Sequence, residues 1–184
     1  MIEVEKKFQP TDEQLASLLK DAQFLGEKIN HDVGYDYPDY RLLKKEIRLR
    51  NRNGSFELKI SKHKEASEVS HEIENKKEIE RYFNTDNFEK FVKDNLVIIV
   101  EIKTKRKKYK KGDFIIDIDE LDFGYKVVEI ELMVQKEDQI KDAQEKIMNL
   151  AKEYGLETKK LPGKRKEYFR LVKPEIYKKL YGDK

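Results

Sequence analysis

The stretch EIRLRNRNGSFELKIS, Glu46–Ser61, decides the fold. It reads as two period-2 strands, Glu46–Arg52 and Ser55–Ser61, joined at Asn53-Gly54. Asn-Gly is a strong type I′ signal, because both central residues of that turn need positive φ. Side chains two apart on a strand share a face. Arg48, Arg50 and Arg52 therefore lie opposite Ile47 and Leu49, and Glu57 and Lys59 lie opposite Phe56, Leu58 and Ile60. The hairpin has one apolar face and one densely charged face.

The same pattern recurs outward from the hairpin. In Ile2–Phe8, Glu3, Glu5 and Lys7 oppose Ile2, Val4 and Phe8; later, Asp117 and Asp119 share a face, as do Glu129 and Glu131, backed by Val128, Ile130 and Leu132. Further strands are expected over Phe24–Tyr37 (with Gly34 an irregularity), Ser70–Ile79, Leu96–Arg106, Phe114–Asp119 and Val127–Val134. Thr11-Asp12-Glu13-Gln14 reads as a capping box opening a helix with Leu15, Leu18, Leu19 and Ala22 on one face. Pro38-Asp39 starts a turn or one-turn helix, Thr85–Asp94 a helix with Phe88, Phe91 and Val92 inward, and Glu137–Tyr154 the longest helix, stopped by Gly155. Pro174–Tyr181 closes the chain as a short helix, while Lys62–Ser70 and the lysine-rich runs Lys105–Lys111 and Lys159–Lys166 read as loops and strand ends. Hairpins with helices inserted between them indicate an α+β fold.

A length of 184 residues suits one domain, 1–184, and 38% apolar residues suffice for a core while 42% charged residues leave a wet surface. Lys+Arg 40 against Asp+Glu 37 is nearly balanced, which argues against a nucleic-acid-coating protein. With no cysteine, thiol nucleophiles, Cys-bound zinc and disulfides are excluded. The N-terminus MIEVEKKF is no signal peptide and no long apolar run follows, so a cytoplasmic monomer without a membrane partner is expected. His31, His63 and His71 lack metal spacing, and Asp122-Phe123-Gly124 reads as a turn.

A solvated, ion-paired face explains any one charged strand. Taken together, the strands ask for more. Carboxylates placed side by side are destabilising unless a cation neutralises them, and rows of Arg and Lys pose the mirror problem for an anion. A sheet closed into a barrel, apolar faces outward under helices and charged faces inward, answers both. Its carboxylates suit a hard divalent cation, Mg²⁺ or Mn²⁺, and its basic side chains suit a polyphosphate.

Glu3-Val4-Glu5-Lys6-Lys7 is an ExExK motif on the first strand, and it resembles the signature of the CYTH superfamily, the triphosphate tunnel metalloenzymes. The thiamine triphosphatase branch is the most similar. Gly34–Leu42, Leu49–Gly54, Phe56–Lys59, Thr104-Lys105-Arg106, Asp117–Asp119, Asp122–Tyr125 and Glu129–Glu131 follow its pattern in order. The resemblance implies a closed antiparallel β-barrel, a tunnel with a charged lumen, with metal ligands at Glu3, Glu5, Asp117 (or Asp119, one pleat away), Glu129 and Glu131. It implies phosphate binding by Lys7, Arg50, Arg52, Lys59, Arg106 and Lys164 (or its neighbours Arg165 and Lys166), with Arg48 beside them, and catalytic work by Glu3, Glu5, Lys7 and Lys59. For Arg106 to point inward, the strand must be bulged or Glu101, Lys103 and Lys105 must face out.

The implied activity is metal-dependent removal of the terminal phosphate of a small-molecule triphosphate, thiamine triphosphate giving the diphosphate and phosphate. The thiamine-specific branch carries a Trp where this chain has Arg48, and the chain has no Trp at all. A thiazolium would lose a π partner and meet a like charge. Inorganic tripolyphosphatase is accordingly the alternative, ahead of adenylyl cyclase or a non-catalytic polyphosphate-binding module.

Overall fold

A computed structural model describes residues 2–64 and 67–182. The chain runs β1 (Ile2–Phe8), α1 (Asp12–Leu19), β2 (Gln23–Asp36), α2 (Arg41–Lys44), β3 (Ile47–Arg52), β4 (Ser55–Lys64) and β5 (Ser67–Ile73). Then come α3 (Lys76–Phe83), α4 (Phe88–Asn95), β6 (Val97–Lys111), β7 (Phe114–Leu121), β8 (Lys126–Val134), α5 (Ile140–Glu153), α6 (Lys164–Val172) and α7 (Pro174–Tyr181). The strands close into a barrel in the order β1-β5-β4-β3-β2-β6-β7-β8, and every pairing is antiparallel. The α+β barrel expected from the alternating faces is the observed fold.

Local chemistry sets several elements. Thr11 and Gln14 form a reciprocal capping box at α1. Asn53 and Gly54 both take positive φ in the β3–β4 turn, as a type I′ turn demands. The buried carboxylate of Asp36 accepts the backbone N–H groups of Tyr37, Leu42 and Leu43, which fixes the start of α2 against the end of β2. Gly155, at φ 64, ends the last turn of α5.

The barrel's outer face is its dry face. Val4, Ile116 and Ile130, all at 0% exposure, pack under α1 and α5, where Ile140, Ala143, Ile147, Leu150 and Ala151 are buried. Leu49 and Leu58 meet α3 and α4 through Ile79, Phe88 and Val92, and Tyr168 and Phe169 of α6 join Val127, Leu121 and Ile102. Each fully buried side chain of this size contributes about 1.5–3 kcal/mol, and the three clusters place that stabilisation outside the charged lumen. Among the described residues no helix is long and apolar enough to cross a membrane.

The structure departs from the sequence reading at four places: the strand expected to end at Arg106 runs on to Lys111, its lysine-rich end paired with β7, and three more follow. β4 continues to Lys64 and β5 begins at Ser67, so most of the polar stretch expected as loop is paired strand; Glu65 and Ala66 of that stretch lie outside the described residues. Ladder pairing there overrides the weak strand preference of a polar sequence. The strand expected to reach Ile79 stops at Ile73, and Asn75, accepting from the Glu78 N–H, caps α3. Lys164–Val172 is a helix, not a loop; its N-cap, Gly163, supplies no side-chain acceptor, so the start carried no sequence signal.

Candidate active site in the tunnel

The inward faces enclose a cavity of about 860 Å³. Glu3, Glu5 and Lys7 project into it from β1, Arg48, Arg50 and Arg52 from β3, Lys59 from β4, Arg106 from β6, and Glu129 and Glu131 from β8. β6 needs no bulge to aim Arg106 inward: its pairing with β7 is regular, and Glu101, Lys103 and Lys105 face out and are exposed.

Two acidic groups of three meet in the lumen. Carboxylate oxygens of Glu3, Glu5 and Glu131 lie within 4.8 Å of one another, and so do those of Asp117, Glu129 and Glu131. Glu131 belongs to both. Strand register explains the convergence, since Glu5 pairs with Glu131 across β1–β8 and Asp117 pairs with Glu129 across β7–β8. Burial first, and then Asp117, Glu3, Glu129 and Glu5, push the Glu131 carboxyl up to about 8. Glu3 is also raised, by burial and then by Glu5, against the pull of Lys59. Burial would raise Glu129 too, but Lys164, with Lys7 and Arg106, holds it down at about 2. Both groups offer oxygen donors only, crowded enough to repel one another, and this is the donor chemistry that fits a hard divalent cation.

The cations interleave with these acids. Lys7 Nζ is 2.6 Å from Glu5 and 3.7 Å from Glu129. Lys59 Nζ donates to Glu3 and lies 3.7 Å from Glu5 and 3.3 Å from Glu72. Although burial works against it, the acids Glu5, Glu3 and Glu72 hold the Lys59 ammonium above the ordinary lysine range. Arg106 grips Asp119 through Nε and Nη2 at 2.7 and 2.6 Å, reaches Glu129 at 2.8 Å, and contacts Asp117. Arg50 Nε donates to Glu57 at 2.7 Å, and Arg52 donates to Asp32 through Nε and Nη2 at 2.7 and 3.0 Å.

Of the residues singled out in the sequence as candidates, Glu3, Glu5, Lys7, Arg48, Arg50, Arg52, Lys59, Arg106, Glu129, Glu131 and Lys164 line this cavity, while Asp117 and Asp119 lie behind its wall. Asp117 and Asp119 are both fully buried; Asp117 joins an acidic group, while Asp119 engages Arg106 and Lys164. Lys164, the first residue of α6, also donates to Glu129 at 2.8 Å. Arg48 lines the same cavity and stands opposite Lys59 across the β3–β4 ladder. Sequence reasoning missed Lys28, Asp32 and Lys108 as lining residues. The signal was present in parity: Lys28 and Asp32 share a face with Gly34, and Lys108 shares one with Arg106.

Comparison with known proteins agrees with this geometry. The model of the CYTH domain matches residues 1–162. The chain is 28% identical to a thiamine-triphosphatase of Macaca fascicularis and 27% identical to that of Homo sapiens, each match covering 98% of this chain and 89% of the relative. A Pyrococcus horikoshii structure superposes with TM-score 0.65 at 24% identity, covering 95% of this chain and 99% of that one. A Hippeastrum protein described with a dominant triphosphatase activity superposes with TM-score 0.58 at 18% identity, covering 92% and 94%. The CYTH match takes in all eight strands and both acidic groups, and the chain belongs to the CYTH domain family.

Proposed function

We propose that this protein is a metal-dependent triphosphatase that removes the terminal phosphate of a small-molecule triphosphate. The observation that carries the reading is the pair of buried acidic groups sharing Glu131, faced across one lumen by Lys7, Arg50, Arg52, Lys59 and Arg106. A pure anion binder gains nothing from such carboxylates. Thiamine triphosphate is the substrate suggested by the curated relatives. Inorganic tripolyphosphate is the second reading, favoured by Arg48 in the tunnel wall and by the absence of Trp.

Mg²⁺ or Mn²⁺, held by Glu3, Glu5 and Glu131 or by Asp117, Glu129 and Glu131, would supply charge neutralisation and an acidified water. Lys7 and Lys59 lie among these carboxylates, so the same ammonium groups would bind phosphate oxygens of a triphosphate held there. The paired Arg50 and Arg52 are pre-oriented by Glu57 and Asp32 and present planar donors to the phosphate chain. Asp119 and Glu129 do the same for Arg106. Phosphoryl transfer needs mainly this positioning and charge stabilisation, and no Ser, Cys or His nucleophile is required.

The test is phosphate release from thiamine triphosphate, inorganic tripolyphosphate and ATP with Mg²⁺ or Mn²⁺. Turnover that Glu5→Gln abolishes and a chelator stops supports the reading. Activity unchanged in Glu5→Gln, or no turnover of any triphosphate, contradicts it.

A further inference from the structure

The two acidic groups that share Glu131 are not equivalent. Lys108 stands directly opposite Asp117 across the β6–β7 ladder, and by strand parity it shares the inward face of Arg106. Its Nζ lies 2.9 and 3.1 Å from the two carboxylate oxygens of Asp117 and 3.9 Å from Glu131. The ammonium thus faces two of the three carboxylates in the group of Asp117, Glu129 and Glu131. Two further cations reach that group and its neighbour Asp119. Arg106 contacts Asp117 and lies 2.6 Å from Asp119 and 2.8 Å from Glu129; Lys164 contacts Asp119 and lies 2.8 Å from Glu129. With Glu131 ionised, as a metal ligand must be, the four carboxylates face three positive charges and keep one negative charge in excess. A divalent cation would overcompensate it; without Lys108 the excess is two, which a divalent cation neutralises. Access points the same way. Asp117 is fully buried behind the cavity wall, and Lys108, 35% exposed, lines that wall. Glu3, Glu5 and Glu131, by contrast, all line the cavity, and the cations beside them are shared with other acids, Lys59 with Glu72 at 3.3 Å and Lys7 with Glu129 at 3.7 Å.

We infer that Lys108 is a built-in cation for the group of Asp117, Glu129 and Glu131, and that this chain therefore binds one divalent cation, at Glu3, Glu5 and Glu131. The inference rests on the metal-dependent reading of the lumen and narrows it from two candidate ion sites to one. Lys108 is a positioning residue. Its ammonium neutralises Asp117 and holds it in place, but as a compact single charge it supplies no acidified water. That chemistry is confined to the first group, beside Lys7 and Lys59.

The test counts Mn²⁺ ions bound per chain by equilibrium dialysis in the wild type, Lys108→Met, Lys108→Arg and Glu3→Gln, with circular dichroism to check each fold. The wild type is expected to bind one ion. Lys108→Met keeps much of the stem, removes the charge and should bind two. Lys108→Arg keeps the charge and should bind one, a result that a merely structural lysine would not separate from Lys108→Met. Glu3 belongs to the first group alone, so Glu3→Gln should weaken the wild-type ion by about tenfold or more. Two ions in the wild type, one ion in both the wild type and Lys108→Met, or unchanged binding in Glu3→Gln overturns the inference. If Lys108→Met does not fold, Lys108→Gln carries the same comparison. The count involves no substrate: a protein that binds one ion, gains a second in Lys108→Met and turns over no triphosphate upholds the inference while the triphosphatase reading fails. A wild type that binds no ion overturns both.

Discussion

Asp32→Ala isolates how the lumen's arginines are held. Asp32 on β2 accepts two hydrogen bonds from Arg52 on the adjacent β3, at 2.7 and 3.0 Å, and both side chains are 17% exposed. Removing one partner of a fully buried pair costs about 3–5 kcal/mol, because the other charge is left desolvated. Partial exposure and the neighbouring Glu57, 3.9 Å from Arg52, reduce this to roughly 1.5–3 kcal/mol. The assay is urea unfolding of the wild type, Asp32→Ala, Arg52→Ala and the double variant. The expected coupling energy is about 1–2 kcal/mol. Burial raises the Asp32 pKa, but hydrogen bonding to Arg52 and the charges of Arg50 and Arg52 prevail and leave it below its usual 3.8. A depressed carboxyl contributes stability above its unfolded pKa, so the coupling should be complete above about pH 4 and fade as pH falls through the folded value. Single variants that add within about 0.5 kcal/mol, or a coupling that does not begin to weaken below about pH 4, would refute the argument.

Other expectations follow from the same geometry. A Cβ at Gly34, across the β2–β3 ladder from Arg50, would collide with Val100 Cγ1, so Gly34→Ala should cost about 1–3 kcal/mol in a thermal melt, and an unchanged Tm would show that the wall yields. Asp36→Ala leaves the N–H groups of Leu42 and Leu43 without their buried acceptor and should destabilise by roughly 2–4 kcal/mol in urea; a loss below about 1 kcal/mol would mean water replaces the cap. Lys59→Ala removes the ammonium shared by Glu3, Glu5 and Glu72 and should lower kcat/KM by about a hundredfold or more, while unchanged kinetics would remove Lys59 from the phosphate site.

Much of this was legible in the sequence because strand alternation fixes which side chains share a face. The hairpin at Asn53-Gly54, the Glu3/Glu5/Lys7 face and the Glu129/Glu131 face stand in the structure as the two-residue period requires. Resemblance then ordered them into one tunnel. What stayed hidden depended on contacts between distant segments. Asp32 is one acid within a long β2 whose register shifts at Gly26 and Gly34, so its parity with Lys28 and Gly34 said that they share a face but not which face is inward. α6 opens without a side-chain cap in a lysine-rich stretch, and its place over the tunnel comes from Tyr168 and Phe169 packing on Ile102, Leu121 and Val127, residues distant along the chain. Arg165 was thus visible only as a neighbour of Lys164, not as a residue of the cavity wall.

The central claim is that the shared carboxylate Glu131 lets one lumen hold a divalent cation beside its phosphate-binding cations. Titration of Mn²⁺ followed by the electron paramagnetic resonance of the free ion tests it most directly, on the wild type and on Glu131→Gln, without reference to any substrate. The account predicts Mn²⁺ binding that Glu131→Gln weakens by about tenfold or more, with the fold retained. Equal Mn²⁺ affinity and stoichiometry in the two proteins, or no binding by the wild type at millimolar Mn²⁺, would contradict it.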